Sequence, residues 1–296
     1  MRALARCWPL CRRLFCPLCC LPPALCGCIM LTADPRAIIS GPLGSAQVLS
    51  LKCEATDALL REAGTRGGGD ALDARPFRVL TWNIHKQGDT GWERDLADFA
   101  SGSDVVLLQE TALDPTLHRI VDDAGLRWVL ASSFLYQETD IGVLTATRRA
   151  PVASCTQRVV EPILRIPKSA VITWLRIAGS RQTLAIVNVH AINFELMVYG
   201  YRAQIEALAD AVAGHEGPII LAGDFNTWSD ARERVLAETA ARLGLVEIEP
   251  ADDRRTRFLG RHVDHMFVRG LEVVSAQAIA VTSSDHNPMA ATLRLR

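Results

Sequence analysis

PIILAGDFN, residues 218–226, is an apolar run that stops abruptly in a Gly, an Asp and an Asn. Four to six apolar residues bounded by turn formers read as a strand buried on both faces. Gly223, Asp224 and Asn226 alone would read as a solvated turn, because these residue types dominate turns. The same ending recurs elsewhere in the chain. Val79-Leu80-Thr81-Trp82 runs into Asn83, and Val105-Val106-Leu107-Leu108 into Gln109 and Glu110. Ile186-Val187-Asn188-Val189 ends in His190, Asp264 opens a strand, and Ser284-Asp285-His286-Asn287 precedes the last one. In α/β sheets, ligands bind beyond strand ends, where loops converge. Carboxylates there hold a hard cation. A histidine and an aspartate exchange protons near neutral pH, and amides stabilise charge on phosphoryl oxygens. Separate turns would not coincide in this order by chance.

Around these stretches strands and helices alternate from residue 77 onward. Strands are expected at 77–84, 104–110, 127–132, 141–147, 170–177, 184–189, 218–222, 263–268, 271–281 and 288–295. Helices are expected at 92–100, 115–124, 196–213 and 230–243. Continuous apolar strands imply sheets covered on both faces, and the paired strands in the middle and at the end imply antiparallel neighbours. The fold class is therefore α/β, with mixed sheets packed on each other and helices outside, in one domain spanning 76–296.

The chain has 296 residues and a formal net charge of -1, so no global field draws it to polyanions and nucleic-acid binding needs a local patch. Eight of its nine cysteines precede residue 77 and only Cys155 follows, from which the core is expected not to depend on disulfides. Residues 1–31 form a leader. Arg2, Arg6, Arg12 and Arg13 precede the apolar run 14–31, the outline of an export signal or a membrane attachment. Pro17, Pro22 and Pro23 oppose a spanning helix, and a leader without a role is the other reading. Residues 32–75 read as a weakly structured linker, with one short helix at 54–63 and a glycine-rich stretch at 65–70.

The pieces TWN, LLQE, NVH, GDFN, DHMFV and SDHNP resemble the endonuclease/exonuclease/phosphatase superfamily, the DNase I-like fold. EPILRIPKSA and VNVHAINF are similar to a poorly characterised bacterial branch of it. The resemblance covers residues 77–295. It implies a four-layer α/β sandwich, two mixed β-sheets packed face to face with helices outside, and hydrolysis of phosphate esters with Mg2+ or Mn2+. By position, Glu110 resembles the main metal ligand, with Asn83 nearby and Asp285 as a second carboxylate on the metal side. Asp224 resembles the residue that orients or deprotonates water. Asn226 and His190 resemble phosphate contacts, and His286 the histidine partnered by Asp264. Which of Asp224 and His286 takes the proton stays open. His265 departs from the family, where many members carry an aromatic, and bears on the packing around Asp264.

The substrate is less defined than the reaction. Lys86, just past Asn83, is either a phosphate contact or a solvated loop lysine. Arg254, Arg255, Arg257 and Arg261 form a basic run that either binds a nucleic-acid backbone or pairs with Asp252 and Asp253. Trp82 and Trp228 either stack on bases or pack in the core. A phosphodiester substrate with nucleic acid favoured, hence a nuclease, is the expectation. A membrane-associated lipid phosphodiesterase or inositol-phosphate phosphatase is the alternative, and a non-catalytic phosphate-binding protein the third.

Overall fold

A computed structural model describes residues 29–32, 35–40, 46–51, 53, 60 and 70–296. In chain order the described elements begin with β1 (Ile29–Met30), β2 (Arg36–Ser40), β3 (Ala46–Leu49), β4 (Phe77–Asn83), α1 (Trp92–Ser101), β5 (Val105–Ala112) and α2 (Pro115–Asp123). Then come β6 (Arg127–Tyr136), β7 (Thr139–Thr147), β8 (Ala153–Val160), β9 (Pro167–Arg176), β10 (Thr183–His190), α3 (Tyr199–Val212), β11 (Ile219–Asp224) and α4 (Asp230–Leu243). The chain closes with β12 (Val246–Glu247), β13 (Arg257–Phe258), β14 (Arg261–His262), β15 (Asp264–Arg269), β16 (Leu271–Ala278) and β17 (Met289–Leu295).

The first sheet has the order β16-β17-β4-β5-β7-β6-β2-β3, with β1 added on β6. The second has the order β12-β15-β11-β10-β9-β8, and β13-β14 is a separate hairpin. Each large sheet contains one parallel pair, β4 with β5 and β10 with β11, and its other pairings are antiparallel. A parallel pair needs a crossover, which α1 supplies in one sheet and α3 in the other.

Three apolar clusters explain the layering. Val79, Val105 and Leu107 of the first sheet meet Ile186, Ile220 and Met266 of the second between the sheets. The outer face of the first sheet packs Trp82, Leu108 and Leu144 against Leu96 of α1 and Leu117 of α2. The outer face of the second packs Val187, Leu221 and Phe225 against Ile205 of α3 and Val235 of α4. Strands buried on both faces are what the unbroken apolar runs required. The helices start and stop on local signals. Asp114 caps α2 through the amide of Leu117, with Pro115 at its first position, and Gly244 ends α4 in a left-handed conformation. The fold is thus the four-layer α/β sandwich.

Three expectations are corrected. The stretch 32–75 is not all linker, since β2 and β3 extend the first sheet through β6. Arg36, with Asp140 at 3.3 Å, ties that extension to β7. Strand β8, more than half of it only partly buried or exposed and with few long apolar residues, is absent from the expected strands; paired with β9, it forms the edge of the second sheet. A disulfide joins Cys53 to Cys155 in β8, 102 residues apart, so the sandwich does carry one staple to the segment before it. Spacing could not reveal that pair, because only the fold brings it together. The helix expected at 54–63 apart from residue 60, the glycine-rich stretch up to residue 69 and the leader up to residue 28 lie outside the described residues.

Candidate active site

The two parallel pairs lie one on the other between the sheets, and polar side chains bridge them. Gln109 of β5 donates to Asn188 Oδ1 of β10 at 2.7 Å, and Asn188 donates to the Leu144 carbonyl at 2.9 Å. At the carboxyl ends of these strands Asn83 Nδ2 donates to Asp224 Oδ2 across the gap at 3.0 Å. Both ends therefore open on one place.

The second sheet sets three of its side chains by register alone. His190 of β10 pairs with Asp224 of β11, and Asp224 with Asp264 of β15. His190 Nε2 lies 3.4 Å from Asp224 Oδ2 and 3.7 Å from Glu110 Oε1. Asp264 Oδ2 is 2.8 Å from His286 Nδ1. Gly223 explains why GDFN needs its glycine. Its φ is +142°, and a Cβ there would lie 2.0 Å from the Val189 carbonyl oxygen of the neighbouring strand. Asp224 Oδ1 accepts from the Asn226 amide at 2.9 Å, and Asn226 Nδ2 donates to the Ala191 carbonyl at 3.0 Å.

The first sheet reaches the site differently. The pairing of β5 with β7 slips between Leu108 and Thr111. That bulge leaves Glu110 at φ 51° and turns its carboxylate out of the ladder. His85, Lys86 and Gln87 hold consecutive φ values of 46°, 54° and 58°. Left-handed non-glycine residues cost energy and gather at functional sites. The turn delivers Lys86 Nζ onto Glu110 Oε2. The Ser284 hydroxyl donates to the Asn83 carbonyl at 2.7 Å, and Trp82 Nε1 donates to the His286 carbonyl at 2.8 Å. These bonds clip the SDHNP turn to the end of β4.

Charge is finely divided here. Burial pushes the Asp224 carboxyl up to about 6 against the nearby His286. Burial also opposes charge on His286, but Asp264, with Asp224 and Asp285 behind it, raises the imidazole to about 10. His286 is therefore a cation at neutral pH. Burial and the adjacent ammonium of Lys168 hold His190 well below the usual histidine range. Burial would raise Glu110, yet the positive side of the site, His190 with Lys86 and Lys168, holds it down at about 2. With His190 neutral at ordinary pH, the two lysines do this work.

Lys168 is the site residue that sequence reading missed. It is the second residue of β9, its Nζ lies 2.7 Å from His190 Nε2, and burial lowers its pKa. The available signal was a lysine one residue inside an apolar strand, in the stretch IPKSAVITWL. Two residues act behind the site. Buried Arg232 of α4 donates to the carbonyls of Ile192, Asn226 and Asn193, under the rings of Tyr201 and Trp228. Buried Glu161 accepts from the Asn193 and Phe194 amides at 2.7 and 3.1 Å.

Other expected residues fall outside the centre. Asp285 is 58% exposed and its carboxylate faces His85 at 3.8 Å. Arg261 is held by Asp230 and Glu233, Arg254 by Asp252, and Arg255 by Asp253 and Glu247. Arg257 is exposed on its hairpin with no ion pair among the described residues. The basic run is thus largely neutralised by local acids. Trp82 is core, packed edge-on to Phe99, and Trp228 is half-buried and donates to Asn193. His265 leaves Asp264 intact. It bonds Glu247 and Thr227 and stacks on Phe267, as an aromatic would.

Asp224, Asp264 and His286 bring donor atoms within 4.8 Å of one another. Within that trio Asp264 already engages His286 Nδ1, a carboxylate–imidazole pair suited to handling protons. Glu110 and the Asn83 amide oxygen are hard oxygen donors on its other side, the kind that suits Mg2+ or Mn2+.

A four-layer sandwich with carboxylates and imidazoles at the ends of stacked parallel pairs has groups of the kind that phosphate-ester hydrolysis uses. The profile of the Endonuclease/Exonuclease/phosphatase family matches residues 80–286, and the chain belongs to that family. A UPF0294 protein of Klebsiella pneumoniae is 40% identical over 213 residues, 72% of this chain and 80% of that protein. An endonuclease/exonuclease/phosphatase of Beutenbergia cavernae shares the fold at TM-score 0.59 and 19% identity, covering 75% of this chain and 72% of that one. The human Nocturnin catalytic domain, solved with a bound sulfate anion, does so at TM-score 0.59 and 20% identity, covering 77% and 97%.

Proposed function

We propose that this protein hydrolyses a phosphodiester bond by direct attack of water, with a divalent cation held at Glu110 and Asn83. The observation that carries this reading is the cross-sheet bond from Asn83 to Asp224, which brings the ends of β4 and β11 together so that their polar side chains can act on one phosphate. A bound ion would supply positive charge to the phosphoryl oxygens. Asp224, with its raised carboxyl, takes the proton from the attacking water. Water oxygen bonds to phosphorus, the bond to one ester oxygen breaks, that oxygen takes a proton from solvent, and Asp224 returns its proton to solvent, so that one water is consumed. His286, charged and backed by Asp264, holds a non-bridging oxygen, and Lys168 with His190 and Asn226 lines the other side. This divides the roles that the sequence left open, with Asp224 as base and His286 as cation.

These charges address the phosphate and not the alcohol it carries, so the rim selects the alcohol. A nuclease reading draws on Arg257 and Arg261, and Arg261 is engaged by α4. The test is turnover of bis(p-nitrophenyl) phosphate by the full chain with Mg2+, with EDTA, and by Glu110→Gln. Supercoiled plasmid in a parallel arm tests nucleic acid. Hydrolysis lost in both controls supports the reading, and equal rates with EDTA overturn it.

A further inference from the structure

Large exposed apolar side chains crowd the rim of this site. Ile163 and Leu164 lie on the loop between β8 and β9, Leu196 and Met197 between β10 and α3, and Phe258 and Leu259 on the β13–β14 hairpin. Leu196 is 91% exposed and Leu259 72%. Single exposed apolar residues are ordinary, whereas a rim of them marks an interaction surface. Hydrogen bonds join the loops to one another and to the site. Glu161 receives the amides of Asn193 and Phe194. Trp228 donates to Asn193 at 2.9 Å, and Thr227 to the His262 carbonyl at 2.7 Å. All three segments leave the end of the sandwich where Lys168, His190, Asp224 and Asp264 lie.

The leader joins the fold at that same end. Ile29 pairs with Tyr136 at the β6–β7 hairpin, and Ile141 of β7 pairs with Ala112, two residues beyond Glu110. Arg158, near the end of β8, donates to Thr32 at 2.9 and 2.8 Å and fixes the approach beside the Ile163 loop. Met30 and Leu31 are themselves exposed there. The chain before them carries four arginines and then the apolar run 14–31, the outline of an export or attachment segment. The disulfide of Cys53 and Cys155 belongs with an oxidising compartment, which export supplies.

We propose that the mouth of the site seats on a lipid bilayer, its apolar loop tips in the interface, and that the phosphoester it cleaves is a membrane-lipid headgroup. This rests on the phosphoesterase reading above. The leader tethers the chain, and the loops select its orientation. Two weak attachments on one side act together, because the first raises the effective concentration of the second. Exposed Arg165 and Arg257 stand beside Leu164 and Phe258 and suit anionic headgroups. A headgroup phosphate then lies at the depth of the site, while duplex DNA would face apolar tips.

The test uses the full chain, wild type and Leu196→Asp/Leu259→Asp, on vesicles of a bacterial polar-lipid extract with Mg2+. Cosedimentation reads docking, and phosphorus NMR of the vesicle lipids reads cleavage of any phosphoester. Bis(p-nitrophenyl) phosphate serves as the soluble diester. Wild type is expected to cleave vesicle lipid, and the double variant to lose about tenfold or more of that rate. The variant is expected to keep its soluble-diester rate within about twofold, because both side chains are at the surface. Soluble turnover without lipid cleavage overturns the proposal and leaves the phosphoesterase reading standing. Equal vesicle rates in variant and wild type also overturn it. Vesicle docking weakened by the variant, with neither substrate cleaved, supports the docking surface and overturns the phosphoesterase reading.

Discussion

The two sheets bring chemistry to the cleft by different means. In the second sheet His190, Asp224 and Asp264 stand directly opposite one another on three neighbouring hydrogen-bonded strands, so register alone sets their spacing. In the first sheet Glu110 leaves a bulge, and Lys86 stands on a turn with three left-handed residues. One half is held by the ladder and the other by strained backbone. Asp224 and Asp264 sit on the half set by the ladder, and His286 reaches Asp264 from the turn before β17 of the first sheet. Glu110, the carboxylate proposed to hold a cation, sits on the half shaped by the bulge and the turn.

Several changes would break or sharpen that contrast. The largest effects are expected at the two carboxylates that differ most in environment. Glu110→Gln and Asp224→Asn should each lower kcat about 10^3-fold with the fold intact. Circular dichroism alongside turnover checks this. A variant retaining a tenth of the wild-type rate or more would remove that residue from the chemistry.

Gly223→Ala strikes the ladder itself. A Cβ clashing with the Val189 carbonyl should cost about 3 kcal/mol or more of stability, seen as a lower urea midpoint. An unchanged midpoint would mean the register tolerates slippage. Next comes Lys168→Met, which removes a cation beside His190 and Glu110. It should lower kcat about 10- to 100-fold with little change in thermal midpoint.

The pH profile separates the roles of the two halves. The base works ionised, so activity should rise with pH as Asp224 loses its proton near about 6. It should fall again near about 10, as His286 loses its charge. Asp224→Asn should abolish the acid limb and leave the alkaline one. Survival of the acid limb in the residual activity would assign the base elsewhere. The smallest effect is expected from Arg261→Ala, within about twofold on any substrate, because that arginine is engaged by Asp230 and Glu233. A steep loss on plasmid alone would restore the nucleic-acid reading.

Unbroken apolar runs ending in polar residues were enough, in sequence, to read mixed sheets packed on each other, while the four-layer sandwich and the roles expected of Asn83, Glu110, His190, Asp224, Asn226, Asp264 and His286 came from the family resemblance. The physical reason is local. A strand buried on both faces must be apolar throughout, and its last residue alone is free to be polar without an unpaired buried group. Other features depended on what lies far away in the chain. Lys168 became a site residue because β9 starts beside the end of β10, and Asp285 left the centre because the turn holding His286 points its neighbour outward. Acids on α4 and around Glu247 neutralised the arginine run, and Cys53 found Cys155 across 102 residues. Side-chain type is written in one residue, but pairing is a property of two, and only the tertiary structure chooses the second.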